Sequence, residues 1–461
     1  MYLGSLKNKD DLFCDECGVF GIYSNEARDL QNTVYYGLYA LQHRGQESCG
    51  IAVASADKIF CNKSLGLVPE VFTAENLSKF PEADIAIGHV RYTDTIAFED
   101  TQPLVMTGKF GKFAICFNGK LLNSAELKNK LIKGNCVFQT NSDAEIIAML
   151  INKNSEGDFL KGVISACQEL NGCYAMLIMT KDKLIGVRDK LGMRPLVIGK
   201  IMDEYVFASE TCGLDAVGAV YERDIKNGEV VEISGKGINS YQLAENKTSA
   251  CIFEFVYFAR ADSVINGCSV YESRIKAGRM LAQKFPVYAD LVCGVPDSAI
   301  VAGRGYSEES NIPYVAALEK NRYVGRTFIQ PNQGQREASV GIKLNPISHN
   351  VKGKRVILVD DSIVRGTTSK KIVESLRKAG AKEVHLRISS PIVKHPCYFG
   401  INIQTHNQLV GSNRTEEQIN EYIGADSCKF LSIDMLLTTV KQANCNFCTG
   451  CFSGKYPVKI K

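Results

Sequence analysis

Val356-Ile357-Leu358-Val359-Asp360-Asp361-Ser362-Ile363-Val364-Arg365-Gly366-Thr367-Thr368 decides how this chain folds. Four consecutive apolar residues fit a strand buried on both faces, and two carboxylates stand at its C-terminal end. A loop of small residues then opens a helix whose apolar face is Ile372, Val373, Leu376 and Ala379. Ligands favour that end of a parallel strand. A loop entering a helix N-terminus aims free N–H groups and a positive dipole end outward, and Thr367 and Thr368 add hydroxyl donors. A phosphate suits the loop, and ribose hydroxyls suit Asp360 and Asp361. The plainer reading is an acidic strand end that caps a helix.

Further out, apolar runs at 289–295 and 355–359 alternate with helix-like stretches at 273–284 and 369–378, which predicts a parallel sheet with helices on its faces. Gly294-Val295-Pro296-Asp297-Ser298 ends one of these strands in a tight turn. Lys320-Asn321-Arg322-Tyr323-Val324-Gly325-Arg326 gathers three cations, as a solvated face or as a basic lid that neutralises a leaving anion and shuts out water. From Cys17 to Ile233 the pattern is short strands of period two, with helices predicted near 32–41 and 143–152. The polar stretch 234–249 has no sustained period and reads as the connection between two units.

A length of 461 residues calls for two cores. Fifty-four Lys and Arg against 50 Asp and Glu, without a dense basic run, argue against nucleic acid. No apolar stretch approaches the roughly 18 residues of a membrane span, and the first 16 residues lack a secretory apolar core. That composition leaves room for a leader that is processed. Seventeen cysteines, many isolated in apolar runs, fit reduced thiols in the cytosol. Cys445, Cys448 and Cys451 are spaced to share one metal or cluster.

The string at 356–368 resembles the signature of type I phosphoribosyltransferases, which bind phosphoribosyl pyrophosphate (PRPP). In the first half, Cys17-Gly18-Val19-Phe20-Gly21-Ile22, Leu41-Gln42-His43-Arg44-Gly45-Gln46-Glu47-Ser48, Gly88-His89-Val90-Arg91-Tyr92, Asn118-Gly119 and Ser142-Asp143-Ala144-Glu145 follow the order and spacing of class II glutamine amidotransferases. Together the halves resemble the glutamine PRPP amidotransferases. The implied fold is an N-terminal nucleophile hydrolase domain of αββα layering at 17–245, after a leader at 1–16, and a type I phosphoribosyltransferase α/β domain at 250–461.

The resemblance implies Cys17 as nucleophile, with its own amine as base once the Glu16–Cys17 bond is cut. It implies an oxyanion hole of Asn118 and Gly119, Arg91 on the glutamine α-carboxylate and Asp143 on the α-ammonium. In the second half it assigns Asp360 and Asp361 to ribose, Val364, Arg365, Gly366, Thr367 and Thr368 to the 5-phosphate, Asp297, Ser298, Lys320 and Arg326 to pyrophosphate, and Ser362 to PRPP as a whole. Mg²⁺ would sit with Ser298, Asp360 and Asp361. Cys251, Cys397, Cys448 and Cys451 match the ligand positions of the [4Fe–4S] type, with zinc the chemical runner-up and Cys445 an outer thiol. A homo-oligomer, a tetramer, inhibited by purine nucleotides is also implied. Two departures, Asp94 near the glutamine carboxylate and Gly341 before Lys343-Leu344, leave one rival: a divergent PRPP or nucleotide sensor, or a transferase that uses only free ammonia.

Overall fold

Period-two alternation builds two antiparallel sheets in the first half. This computed structural model describes residues 17–92, 98–243, 247–321, 344–401 and 405–460. The first sheet has seven strands and centres on Gly18–Arg28, flanked by Ala83–Arg91 and Glu204–Ala208. The second has six, and in it Gly111–Leu121 pairs with Gly172–Met179. Their inner faces close through Val19, Ile87, Cys116, Ala175 and Leu177. Helix Leu30–Ala40 covers the outer face of the first sheet with Val34 and Leu38. Helices Asp143–Asn154 and Phe159–Glu169 cover the second with Ile147, Ile151 and Val163. This is the αββα layering expected.

Two of the longer helices of this half were not legible. Ser124–Lys133 buries only Leu127 and Leu131, a stripe too narrow to stand out, and Phe159–Glu169 contains Gly162 and β-branched neighbours. The stretch 234–249 is also more than a connection. Its residues Gly237–Gln242 form an edge strand paired with Glu229–Ser234, and five of the six are exposed, which removes the alternation that marks a half-buried strand.

The second half is a parallel sheet in the order Leu291–Gly294, Arg355–Asp360, Glu383–Ile388, Ser427–Phe430. Ile357 and Val359 face helices Val270–Lys284 and Ile300–Ser310, whereas Val356 and Leu358 face Thr367–Lys378 and Glu416–Ile423. Burial on both faces is what the unbroken apolar run required. The first helix pair packs backbone to backbone: a Cβ on Gly278 would lie 1.9 Å from the carbonyl oxygen of Ala302. Because all four strands run the same way, their C-terminal ends share one edge. Ala250–Cys251 pairs in parallel with Phe447–Cys448, tying the start of this half to its end. No helix among the described residues is long and apolar enough to cross a membrane.

Candidate functional site

The parallel sheet gathers one group of candidate residues at its C-terminal edge. Asp360 ends its strand, Asp361 follows, and both are buried. Ser298 donates a short hydrogen bond to Asp361 Oδ2, and Ser362 Oγ donates to Asp361 Oδ1 at 2.5 Å. The turn that carries Ser298 is pinned to the same strand end by Val295 N–H, which donates to the Val359 carbonyl at 2.8 Å. Burial, and then the Asp361 carboxylate, push the Asp360 carboxyl well above its usual range. Burial also raises Asp361, opposed by Ser298, Ser362 and the Arg274 guanidinium. Lys320 pairs with Asp297 on the same rim. Gly366 takes φ +80°, and helix Thr367–Lys378 starts at the next residue, so the 364–368 loop opens onto a helix N-terminus as expected. Arg322, Arg326 and Gly341 lie outside the described residues.

A second group of candidate residues lies in the sandwich of the first half. Cys17 leads directly into strand Gly18–Arg28, and Gly18 is paired with Val90, so Cys17 reaches the end of strand Ala83–Arg91. Its thiol points at the Tyr92 carbonyl, 3.8 Å away, and burial pushes the thiol up while Tyr92 and Arg91 oppose that. Arg91 Nη2 stands 3.5 Å from Asp100 Oδ2. Asp143, at the start of its helix, accepts from Leu121 N–H at 2.9 Å, and Lys120 Nζ stands 3.6 Å off. Burial raises Asp143, countered by Lys120 and Leu121. Glu145 receives Gln139 N–H, Thr140 N–H and the Thr140 hydroxyl, which organises the loop ahead of that helix. Asp94 lies outside the described residues.

Asn118, next to the Phe117 carbonyl that His89 reaches from strand Ala83–Arg91, is 1% exposed, and its side-chain Nδ2 has no hydrogen-bond partner. A buried amide donor left unmade costs about 1–3 kcal/mol unless something fills it. Gly119 follows with φ +157°, and a Cβ there would be 2.1 Å from the Cys173 carbonyl oxygen, so only glycine fits. The preceding peptide is caged: Gln102 Oε1 accepts Phe117 N–H at 2.6 Å, and the Phe117 carbonyl accepts from Gln102 Nε2 at 3.3 Å and His89 Nε2 at 3.1 Å. Sequence reasoning gave roles to neither Gln102 nor His89. His89 was signalled only by its polarity inside an apolar strand, and Gln102, in the bend before strand Leu104–Gly108, gave no signal.

Cys251, Cys397, Cys448 and Cys451 line one cavity, with Phe399, Ile401 and Tyr456. Met193 and Arg194 of the first half complete its wall, so the cavity joins both halves. Phe399 N–H donates to Cys397 Sγ at 3.4 Å. Burial raises all four thiols. Cys445 stays out of the cavity lining; its sulfur accepts from Asn266 Nδ2 at 3.4 Å.

The halves also meet at a buried ion cluster absent from the sequence reading. Arg44 donates to Glu210 Oε1 at 2.6 Å, to Glu254 Oε1 at 2.8 Å and, through Nε, to the Cys17 carbonyl at 3.2 Å. His43 Nε2 lies 2.7 Å from Glu210. His43, Glu210 and Cys212 are close enough to hold a metal, but Glu210 is already engaged by Arg44, Ser263 and Arg260 N–H.

Comparison with known proteins matches residues 89–216 to a glutamine amidotransferase domain and residues 274–390 to a phosphoribosyl transferase domain. The chain is 46% identical over 455 residues to the amidophosphoribosyltransferase of Synechococcus elongatus, covering 97% of this chain and 92% of that enzyme. It is 44% identical to the one from Methanocaldococcus jannaschii, covering 96% and 98%. The solved Bacillus subtilis glutamine PRPP amidotransferase complexed with ADP and GMP superposes with a TM-score of 0.91 at 46% identity, covering 96% of this chain and 98% of that one.

Proposed function

Since the chain belongs to the amidophosphoribosyltransferases, we propose that its two groups of candidate residues divide the reaction between them, Cys17 releasing ammonia and the Asp360–Thr368 loop presenting PRPP to it. The enzyme converts glutamine, PRPP and water to 5-phosphoribosylamine, glutamate and pyrophosphate, the first step of purine biosynthesis. The comparisons lend no support to the sensor or to a transferase restricted to free ammonia.

With residues 1–16 removed, the Cys17 amine takes the thiol proton, because an α-amino group titrates near pH 8. The thiolate attacks the glutamine amide carbon, and the oxyanion accepts from Asn118 Nδ2 and Gly119 N–H. Collapse expels ammonia, leaves a γ-glutamyl thioester, and water then hydrolyses that to glutamate. Arg91 would hold the α-carboxylate and Asp143 the α-ammonium. The unpartnered buried donor of Asn118 carries this reading. Ammonia attacks C1 of PRPP, the C1–O bond breaks, and pyrophosphate departs toward Lys320 and Ser298. Asp360 and Asp361 hold ribose, and the loop at 364–368 holds the 5-phosphate.

Hard oxygen donors at Ser298, Asp360 and Asp361 fit Mg²⁺, which when bound would neutralise departing pyrophosphate. The cysteine cavity fits a [4Fe–4S] cluster held by Cys251, Cys397, Cys448 and Cys451. No three of these sulfurs lie within 4.8 Å of one another. Tetrahedral zinc would hold them about 3.8 Å apart, from a Zn–S length of about 2.3 Å. The N–H donated to Cys397 Sγ is what a cluster sulfur accepts. Its work would be structural. The described cysteines are all free thiols, in keeping with a reducing, cytoplasmic location. The ADP and GMP in the Bacillus subtilis structure support purine nucleotide inhibition, and a homotetramer is the assembly we expect.

Cys17→Ala tests the division of labour. It should abolish glutamine-dependent pyrophosphate release while sparing release with added ammonia. Retained glutamine activity would contradict the assignment.

A further inference from the structure

We propose that the strap 397–401 is a positioning element for the oxyanion hole, with Cys173, Phe399 and Gly400 passing the state of the cysteine cavity to Gly119. The inference rests on the reading of Gly119 as an oxyanion donor and of Cys397 as a cluster ligand.

The strap leaves the cavity at Cys397 and lands on the glutaminase sheet two residues later. There the Phe399 carbonyl accepts from the Cys173 thiol at 2.9 Å and from Arg194 Nη2. Cys173 lies opposite Lys120 in the strand pairing, and its own carbonyl oxygen occupies the space beside the Gly119 Cα. One residue thus touches the strap with its side chain and the oxyanion residue with its backbone. Gly400 makes the second contact. At φ +100° it brings bare backbone so close that an added Cβ would lie 3.0 Å from Arg194 Nη2, 3.4 Å from Lys120 Cβ and 3.9 Å from the Gly119 carbonyl carbon. Phe399 is buried and its ring packs on Tyr456, whose hydroxyl donates to the Pro396 carbonyl at 2.6 Å, so the strap moves as a unit.

Oxyanion donors act only when aimed at the developing charge, and a displacement of about 1 Å can cost about a hundredfold in rate. A strap loosened by loss of the Cys397 anchor would therefore impair glutamine hydrolysis and leave PRPP chemistry intact.

The test uses the mature, cluster-loaded enzyme that begins at Cys17 and carries Cys173→Ala, Cys173→Ser or Gly400→Ala. Cys173→Ala and Gly400→Ala should lower kcat with glutamine at least about tenfold, with KM for glutamine within about twofold and ammonia-dependent synthesis unchanged. Cys173→Ser, which keeps a donor for the Phe399 carbonyl, should restore most of the rate. A second readout needs no turnover: chelating iron from the wild type should speed amide exchange at 119–121 and 173–174 but not at 360–368. Equal loss of glutamine and ammonia activities, failure of the serine rescue, or unchanged exchange after iron removal would each overturn the proposal. Glutaminase activity surviving Cys17→Ala, or zinc in place of iron, would instead sink the underlying assignment.

Discussion

His89 shows how much one buried side chain can hold. Its Nε2 donates to the Phe117 carbonyl, one residue ahead of Asn118, while its Nδ1 is buried without a partner. Burial lowers its pKa to about 3, opposed by the Phe117 bond. The unfolded chain binds a proton below about pH 6.5 and the folded one does not, so this residue withdraws stability as pH falls. The loss should approach about 1.4 kcal/mol per pH unit below pH 6.5. His89→Gln keeps a donor without the titration, and urea unfolding at pH 7 and 5.5 should show a shallower acid decline in the variant. Equal declines would contradict this. His89 stood in a quoted motif, yet its role depended on a carbonyl 28 residues away, and spacing along one strand cannot show that. Cys17 and Asn118 were singled out only through the resemblance, because taken alone they read as a buried thiol opening a strand and as a turn.

At the scale of elements, helix Thr367–Lys378 and the loop before it were legible almost in full, since a buried parallel strand, a glycine and a helix leave few alternatives. What could not be read is what supports the loop. Val410 N–H donates to the Val364 carbonyl at 2.8 Å, and the Tyr422 ring packs behind Gly366, where a Cβ would sit 3.1 Å from it. Gly366→Ala therefore meets both a positive φ and the ring. It should cost about 1–3 kcal/mol locally and raise KM for PRPP about tenfold or more, with glutaminase activity in the absence of PRPP unaffected. Steady-state kinetics with PRPP varied would check it, and an unchanged KM would mean the loop does not hold phosphate. The edge strand Gly237–Gln242 escaped notice for the opposite reason: solvent on most of its side chains erases the pattern.

Across the whole molecule, the two-domain division followed from length and from the change of period, but the junction did not. Arg44 is fully buried, and its partners Glu210 and Glu254 lie 166 and 210 residues away. Burial alone would raise the Glu210 carboxyl, but His43 and Arg44 hold it well below the usual carboxylate range. A carboxyl depressed in the fold stabilises above its unfolded pKa, about 4.3, and that stability is lost as pH falls further. Arg44→Met would leave two buried carboxylates without their cation and should destabilise by about 3–5 kcal/mol, read as a lower thermal midpoint at pH 7. A midpoint within a degree of wild type would show that the cluster contributes little.

The claim on which the rest depends is that the residue 17 thiol attacks glutamine beside the Asn118 donor. Acid quenching of the enzyme during glutamine turnover, followed by peptide mass spectrometry, tests it directly. The account predicts a γ-glutamyl thioester on a peptide whose first residue is Cys17. An adduct on another cysteine, or full glutaminase activity in a chain still carrying residues 1–16, would contradict it.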